Sequence, residues 1–332
     1  MNRIPTLDGW RGIAIGLVLF DHVQESLMHG FFRPWTETGQ HGVTIFFVLS
    51  GYLITLKLVE SPIDLKRFYT RRFFRLMPAA WTYLAALVLL DLGSGAHHIT
   101  LAGLSASLFF YRNFGGNSGD GGITLHFWSL SLEEQFYLIW PCILLLAGAR
   151  RCRWIAAAGA LACAGYRWLF WAHYNQSLLN LQSQVRADAL LVGCLMALLL
   201  TEPKIHSAAK RWSKVWALPA LATLLYCMAR YDRLVPLYEC VCIAGLIAAT
   251  TLHAESVLSY PFSFAPLIWL GTVSYSVYIW QELFMAFRNV WLLCFGLPLF
   301  ALASYYWIER PFTRLGHRLT RESNVYAEKA SA

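Results

Sequence analysis

In the first apolar segment, Arg11 and His22 are the residues whose side chains could take part in a reaction. They lie eleven positions apart, which on an α-helix is three turns plus about 20°, so both lie on one face, about 16 Å apart along the axis. Ionisable side chains are costly within the hydrocarbon region of a membrane, so each is a candidate functional residue. A guanidinium binds anions, and an imidazole takes and gives protons near neutral pH. The alternative is a snorkelling interfacial arginine and a histidine that satisfies a buried hydrogen bond.

A basic loop before the third apolar segment is the second candidate. Arg71, Arg72 and Arg75 lie there, ahead of Pro78. Guanidinium groups bind phosphates in a bidentate manner, so this loop suits a polyanionic ligand. The ordinary excess of positive charge in cytoplasmic loops, or binding of anionic lipid, explains the same residues without a site.

Two carboxylates, Glu133 and Glu134, open the fourth apolar segment. A carboxylate there would orient a histidine or handle the proton of a hydroxyl group. Ser131 and Glu134 also fit a capping box, in which side chains satisfy the first backbone amides of a helix. That box accounts for Glu134 but not for Glu133, which is therefore the stronger candidate.

Two further polar groups lie in later apolar segments. Arg186 and Asp188 open the sixth segment and are expected to form a local ion pair. Tyr275, Tyr278 and Gln281 form a polar strip on the ninth segment, which fits either a site or hydrogen bonds between helices.

Membrane-spanning helices must position all of these residues. Of the 332 residues, 57% are hydrophobic and only 14% are charged, whereas soluble domains carry about 25% charged residues. No nucleic-acid-binding module accompanies the net charge of +8, so nucleic acid is not expected as a partner. A span needs about 20 mostly apolar residues. The sequence thus predicts an all-α polytopic membrane protein whose spans lie near 10–28, 43–59, 76–92, 132–149, 154–171, 187–201, 215–230, 235–252, 266–287 and 290–308.

The distribution of basic residues predicts the orientation. If the N-terminus is cytoplasmic, 20 of the 27 Lys and Arg residues fall in cytoplasmic segments, as the positive-inside rule requires. Ten spans put both termini on that side. We therefore predict a membrane domain over residues 1–312 and a basic cytoplasmic tail over residues 313–332.

Taken in chain order, the motifs resemble the membrane-bound acyltransferase-3 family. The resemblance covers nearly the whole chain, through Leu7–His22, Phe46–Ile54, Arg72-x-x-Arg75, Trp128–Tyr137, Arg186–Gly193, Leu270–Tyr278 and Glu309–Pro311. The chain departs from the pattern at Thr44, where many relatives carry an acidic or other polar residue. It departs again at Gln281, where a histidine is common.

The resemblance implies a ten-span core in the bacterial cytoplasmic membrane that transfers an acyl group, usually acetyl from acetyl-CoA, to a hydroxyl group. The expected acceptor is a glycan or a lipid-linked saccharide at the extracytoplasmic face, and a small molecule such as a macrolide is the alternative. Acetyl-CoA is then a co-substrate, and no metal is expected. Some members append an extracytoplasmic esterase-like domain. This chain ends soon after its tenth predicted span, so we expect the core alone.

The resemblance also implies a role for each candidate. His22 is the general base or carries the acyl group, Glu133 assists it or the acceptor, and Arg11 is the third catalytic residue. Acyl-CoA would be held by Arg71, Arg72, Arg75 and Arg11, and the acceptor by Ser50, Tyr52, Trp128 and Glu134. A transporter with a proton relay and an inactive lipid-binding scaffold are the competing classes. The transporter is disfavoured because the sequence has no repeated halves.

Overall fold

The described part of the chain consists of helices joined by turns. A computed structural model describes residues 4–27, 38–60, 62–94, 99–114, 122–171, 181–229 and 235–331. No strand occurs among these residues, which confirms the all-α prediction. The helices are α1 Pro5–Leu27, α2 Thr38–Val59, α3 Leu65–Ser94, α4 Leu101–Leu108, α5 Phe127–Phe170, α6 Ser183–Leu200, α7 Pro203–Ala229, α8 Val235–Leu252, α9 Ala265–Ala286, α10 Leu297–Ser304 and α11 Arg310–Ser331.

Several of these helices are long and apolar enough to cross a membrane. By length and composition, five described helices qualify, namely Thr38–Val59, Leu65–Ser94, Phe127–Phe170, Ser183–Leu200 and Leu292–Arg321. Helix α5 has 44 residues and bends at Gly148, whose φ of 75° lies in the left-handed region that favours glycine. Its two halves correspond to the fourth and fifth predicted spans. The chain is thus a multi-pass membrane protein, whereas the number of ten spans stays a prediction.

Helix α3 begins well before the predicted third span. The stretch expected to be a basic loop is helical from Leu65, with Pro78 inside the helix. The Asp64 carboxylate accepts a hydrogen bond from the Arg67 backbone amide at 2.9 Å, which is the N-cap arrangement that starts a helix. The sequence did not predict this part of the helix, because its charged residues interrupt the apolar pattern.

The C-terminal helix continues past residue 308, where the tenth predicted span ends. One π-helical turn, Leu292–Gly296, precedes α10, and a second, Tyr305–Glu309, joins α10 to α11. Pro311 is the second residue of α11 and follows the π-helical turn closely, so the irregular hydrogen bonding of that turn lies next to the position where proline removes a backbone donor. Helix α11 therefore runs across the predicted boundary at residue 312.

The chain divides into two compact units. The first comprises residues 1–62, 110–116 and 127–274, and the second comprises residues 63–109, 117–126 and 275–332. Helix α9 contributes its first part to the first unit and the rest to the second.

Glycines bring helices of the first unit into close contact. A methyl group added to Gly51 of α2 would lie 2.0 Å from the Leu190 carbonyl oxygen of α6. One added to Gly193 of α6 would lie 2.1 Å from the Val48 carbonyl oxygen. This reciprocal pair is the small-residue packing expected between membrane helices.

In the second unit, α3 packs against α11. The Arg71 Nε donates a hydrogen bond to the Thr320 hydroxyl at 2.8 Å. A methyl group on Gly316 would lie 2.8 Å from the Phe74 Cβ, so the two helices are in close contact one turn away. These contacts hold the basic start of α3 beside the basic α11.

Candidate active site

Helix α1 positions Arg11 and His22, as the sequence predicts. The Arg11 guanidinium forms an ion pair with Asp8, one turn earlier, at 3.0 Å between Nη1 and Oδ1. The His22 Nδ1 lies 2.8 Å from the Val18 carbonyl oxygen. Because a carbonyl oxygen only accepts, Nδ1 carries the hydrogen, and Nε2 of the neutral ring has the lone pair. The half-buried His22 thus has the tautomer of a general base acting through Nε2.

Asp21 joins α1 to the start of α2. The Thr38 hydroxyl donates to the Asp21 carboxylate at 3.4 Å. A methyl group on Gly39 would lie 2.7 Å from the other carboxylate oxygen. This close contact holds the part of α1 that carries His22 against α2.

Glu133 lies in a small polar network of the first unit. Its carboxylate accepts hydrogen bonds from the Ser50 hydroxyl and, at 3.2 Å, from the Tyr137 hydroxyl. Within the described residues these are the partners of the carboxylate, so Glu133 does not contact His22 directly. The structure therefore brings Glu133 together with Ser50, which the resemblance implied as a substrate-binding residue.

The other residues implied for the acceptor differ in accessibility. Tyr52 and Trp128 are buried, and the Trp128 ring packs edge-on against Phe47 with 5.9 Å between centroids. Glu134 is half-buried in the second turn of α5. As placed, Tyr52 and Trp128 belong to the packed interior of the first unit, whereas Ser50 and Glu134 are partly accessible.

The expected capping box at Ser131 is wrong. Helix α5 starts at Phe127, so Ser131 is one turn inside it. The Ser131 hydroxyl donates to the Phe127 carbonyl at 2.8 Å and accepts from the Arg112 backbone amide at 3.1 Å. Ser131 thus anchors the segment before α5 instead of capping the helix.

A second network, which sequence reasoning missed, reinforces this anchor. The Asn113 amide donates to the Ser183 hydroxyl at 2.6 Å, and the Gln135 amide donates to the Phe110 carbonyl at 2.8 Å. Gln135 follows the two glutamates directly in sequence. This network therefore joins the segment before α5, helix α5 itself and the start of α6.

The local ion pair expected between Arg186 and Asp188 is also wrong. Asp188 pairs with Arg167 of α5 at 2.5 Å, and Arg186 donates to the Thr44 hydroxyl of α2 at 2.8 Å. Residues two apart on a helix point about 200° apart, so they cannot face each other. Each side chain instead reaches a different neighbouring helix.

The buried hydrogen-bonded pair of His41 and Glu239 was not predicted from the sequence. The His41 Nδ1 lies 2.8 Å from a Glu239 carboxylate oxygen, and both side chains are almost fully buried. Both residues lie in or beside predicted apolar segments, and ionisable residues there are candidates in their own right. That signal was present, but the two residues are 198 positions apart and their pairing was not predictable.

One side of α3, in the second unit, carries Arg71, Arg72 and Arg75. Arg71 and Arg75 are four residues apart, and Arg72 and Arg75 three apart, so the three are neighbours on the helix surface. Arg71 is tied to Thr320, whereas Arg75 is exposed. The arrangement is suited to binding phosphate groups through several guanidinium groups.

The polar strip of α9 divides into two kinds of residue. Tyr275 donates to the Leu76 carbonyl at 2.7 Å, and Tyr278 donates to the His126 carbonyl at 3.1 Å. The first bond joins α9 to α3 and supports the interhelical interpretation for Tyr275, whereas His126 lies in the turn before α5. Gln281 is fully buried, and neither its amide nitrogen nor its amide oxygen has a hydrogen-bond partner among the described residues.

Comparison with known proteins decides the family. A sequence model of the acyltransferase-3 family, described as an acyltransferase domain, matches residues 4–310. The chain belongs to this family. Its residues Arg11, His22 and Glu133 therefore lie within the matched acyltransferase domain.

The relatives are O-acetyltransferases by name. The chain is 30% identical over 314 residues to the peptidoglycan O-acetyltransferase OatA of Listeria monocytogenes, covering 84% of this chain and 49% of OatA. It is 30% identical over 362 residues to the putative peptidoglycan O-acetyltransferase YrhL of Bacillus subtilis, covering 95% of this chain and 56% of YrhL. The chain thus spans about half the length of these relatives. No solved structure matches it.

Proposed function

We propose that this acyltransferase moves an acetyl group from cytoplasmic acetyl-CoA to a hydroxyl of a glycan or lipid-linked saccharide at the outer face of the bacterial cytoplasmic membrane. The observation that carries the proposal is the 2.8 Å contact between His22 Nδ1 and the Val18 carbonyl oxygen. In a neutral ring this hydrogen bond puts the hydrogen on Nδ1 and the lone pair on Nε2, the atom that would act as base or nucleophile.

The donor side of the proposal rests on α3. The 30 residues of this helix extend about 45 Å, whereas the hydrocarbon core of a bilayer is about 30 Å thick. The basic first turns of α3 are therefore in position to lie outside the core, where the phosphates of acyl-CoA are soluble. Arg72 and Arg75 would bind those phosphates, with Arg71 held by Thr320.

The reaction is compatible with two routes. In direct transfer, the acceptor oxygen attacks the thioester carbonyl carbon, the hydroxyl proton passes to His22 Nε2, and the thiolate of CoA leaves and takes up that proton. In the two-step route, Nε2 attacks the thioester carbonyl carbon first, and the thiolate of CoA leaves an acyl-imidazolium. The acceptor oxygen then attacks the acyl carbon, its hydroxyl proton passes to the thiolate, and the bond from the acyl carbon to Nε2 breaks to restore the free histidine.

The acceptor side of the proposal rests on the Glu133 network. A carboxylate held by Ser50 and Tyr137 is a fixed acceptor for the hydroxyl groups of a saccharide. The two relatives named as peptidoglycan O-acetyltransferases favour a glycan over a small molecule such as a macrolide.

The test compares the wild type with His22→Gln in a deletion strain. Mass spectrometry of the surface glycans should show acetyl groups with the wild type and their loss with His22→Gln, and His206→Gln serves as control because His206 lies exposed on α7. Wild-type acetylation by His22→Gln would exclude both routes. Binding of radiolabelled acetyl-CoA to the purified wild type separates the enzyme from a transporter, which should bind none.

A further inference from the structure

Three buried polar side chains on α9 and α10 lack hydrogen-bond partners among the described residues. They are the amide of Gln281, the indole Nε1 of Trp280 and the hydroxyl of Ser304. Gln281 is 0% exposed, Trp280 4% and Ser304 2%. All three residues belong to the second unit.

Unpaired groups of this kind are unusual in a folded protein. Most buried polar atoms have a partner, because an amide or indole N–H removed from water without one loses its hydration and gains nothing. A chain could avoid that cost with leucine, phenylalanine and alanine at the same positions. The presence of three such groups on two neighbouring helices points to a polar partner that the described residues do not supply.

The surroundings restrict what that partner can be. The Trp280 ring lies 5.5 Å from the Tyr83 ring and 5.3 Å from the Phe300 ring, and Ser304 lies one turn beyond Phe300 on α10. The three polar groups are uncharged and together offer both donors and an amide acceptor. Because they are buried rather than exposed on an open surface, the bound part must be narrow, neutral and able both to donate and to accept.

We propose that Gln281, Trp280 and Ser304 bind the amide groups of the pantetheine arm of acyl-CoA, an inference that rests on the donor proposed above. A secondary amide donates through N–H to the Gln281 Oε1, and its carbonyl accepts from the Gln281 Nε2 or from the Trp280 indole. The Ser304 hydroxyl donates or accepts as the second amide requires. Binding would satisfy the three groups that lack a partner among the described residues.

The length of α3 agrees with this assignment. Tyr83, which contacts Trp280, lies eight residues after Arg75, a rise of about 12 Å along the helix. The pantetheine arm consists of three residue-like units, which in extended form span roughly 10–15 Å. Phosphates bound near Arg75 would therefore place the amides of the arm at the level of Tyr83 and Trp280, all within the second unit.

The test measures binding of three probes to the purified full-length protein. The probes are acetyl-CoA, acetylpantetheine, which lacks the nucleotide, and adenosine 3′,5′-bisphosphate, which lacks the arm. Gln281→Leu should weaken binding of acetyl-CoA and of acetylpantetheine by about tenfold or more, as the loss of buried hydrogen bonds predicts. It should leave the bisphosphate unaffected, whereas Arg75→Ala should weaken acetyl-CoA and the bisphosphate and leave acetylpantetheine unaffected.

Two controls distinguish a loss of ligand binding from a loss of folding. Gln281→Leu should not lower the thermal stability of the protein without ligand, because the amide it removes is unpaired there. Ser274→Ala, on the same helix, removes a hydroxyl that bonds only its own helix at Gly271 and should leave all three probes unaffected. A Gln281→Leu protein that unfolds at lower temperature and binds every probe less well would assign Gln281 a structural role and overturn the proposal.

The remaining outcomes are also decisive. Unchanged binding of acetylpantetheine to Gln281→Leu would overturn the inference while leaving the proposed function intact. A rise in the KM of the acceptor with no change for the donor would assign the groups to the saccharide instead. If the wild type binds neither acetyl-CoA nor acetylpantetheine, the proposed donor itself is wrong.

Discussion

The hydrogen bond between His22 and its own helix determines which nitrogen of the neutral ring carries the lone pair. The sequence placed His22 on one face with Arg11, and the structure adds that Nδ1 points to the Val18 carbonyl. The face of α1 on which His22 lies follows from helical spacing alone. Its tautomer depends on the side-chain torsions, which the spacing of residues does not determine. The residue type was therefore predictable, and the identity of the basic atom was not.

Glu133→Gln should lower the rate of acetyl transfer without unfolding the protein. The amide still accepts hydrogen bonds from Ser50 and Tyr137, so the fold is kept, but the negative charge that attracts a hydroxyl proton is lost. Removing a positioned acid–base group typically costs about 100-fold or more in rate. The measurement is the turnover number with radiolabelled acetyl-CoA in proteoliposomes.

Tyr137→Phe is the matched control for this variant. It removes one of the two hydrogen bonds to Glu133 and keeps the charge, so it should retain most of the activity. Full activity in Glu133→Gln would show that the carboxylate charge has no part in the reaction, and Glu133 would then be a structural residue.

Asp188→Asn should destabilise the protein strongly. Its carboxylate pairs with Arg167 at 2.5 Å, and both side chains are essentially unexposed. Removing one charge of a buried pair leaves the other uncompensated, which costs about 3–5 kcal/mol. The free energy of unfolding in mild detergent, measured by denaturant titration, should fall by an amount of this order.

Arg153→Ala tests whether burial determines how much an ion pair stabilises the protein, because its pair with Glu202 is partly exposed. Glu202 is 45% exposed in its pair with Arg153, whose guanidinium hydrogen-bonds Glu202 and lowers the pKa of its carboxyl. The stabilisation is therefore present above the ordinary pKa of a glutamate and is lost as pH falls through the lowered value. Exposed pairs contribute little, so a loss of stability as large as that of Asp188→Asn would contradict the argument from burial.

Helix ends were harder to predict than helices. Apolar periodicity located α2, α6 and α8 within a few residues, because each of these helices contains a long apolar run. It missed the first turns of α3, since basic residues there resemble a loop, although Asp64 carried a capping signal. It separated the two halves of α5 correctly because the charged turn near Gly148 interrupts the apolar pattern.

Gly193→Ala should weaken the packing of α6 on α2. Its added methyl group would lie 2.1 Å from the Val48 carbonyl oxygen, so the helices must move apart, and overpacking of this kind costs about 1–3 kcal/mol. Thermal unfolding in detergent should show a lower midpoint than the wild type.

Gly16→Ala is the corresponding control on α1. Nothing lies within 4 Å of the added methyl group, and alanine favours a helix over glycine by about 0.5–1 kcal/mol, so the midpoint should stay the same or rise. Equal destabilisation by both substitutions would mean that the close contact at Gly193 does not limit stability.

Over the whole chain, the candidate residues fall into two groups that follow the two units. Arg11, His22, Ser50 and Glu133 belong to the first unit, and the arginines of α3 to the second. The sequence identified members of both groups because each lies in a local motif. It could not predict pairs such as His41 with Glu239, because their contact depends on how helices far apart in the chain pack together.

The orientation of the chain in the membrane can be tested directly. The excess of basic residues on one side predicts cytoplasmic termini, so green fluorescent protein fused to the C-terminus should fluoresce, and alkaline phosphatase inserted after Tyr111 should be active outside. In right-side-out vesicles, acetyl-CoA trapped inside should then support acetylation of an external acceptor, whereas acetyl-CoA added outside should not. Acetylation that depends only on external acetyl-CoA would reverse the orientation of the donor site, and with it the assignment of the α3 arginines to the cytoplasmic face.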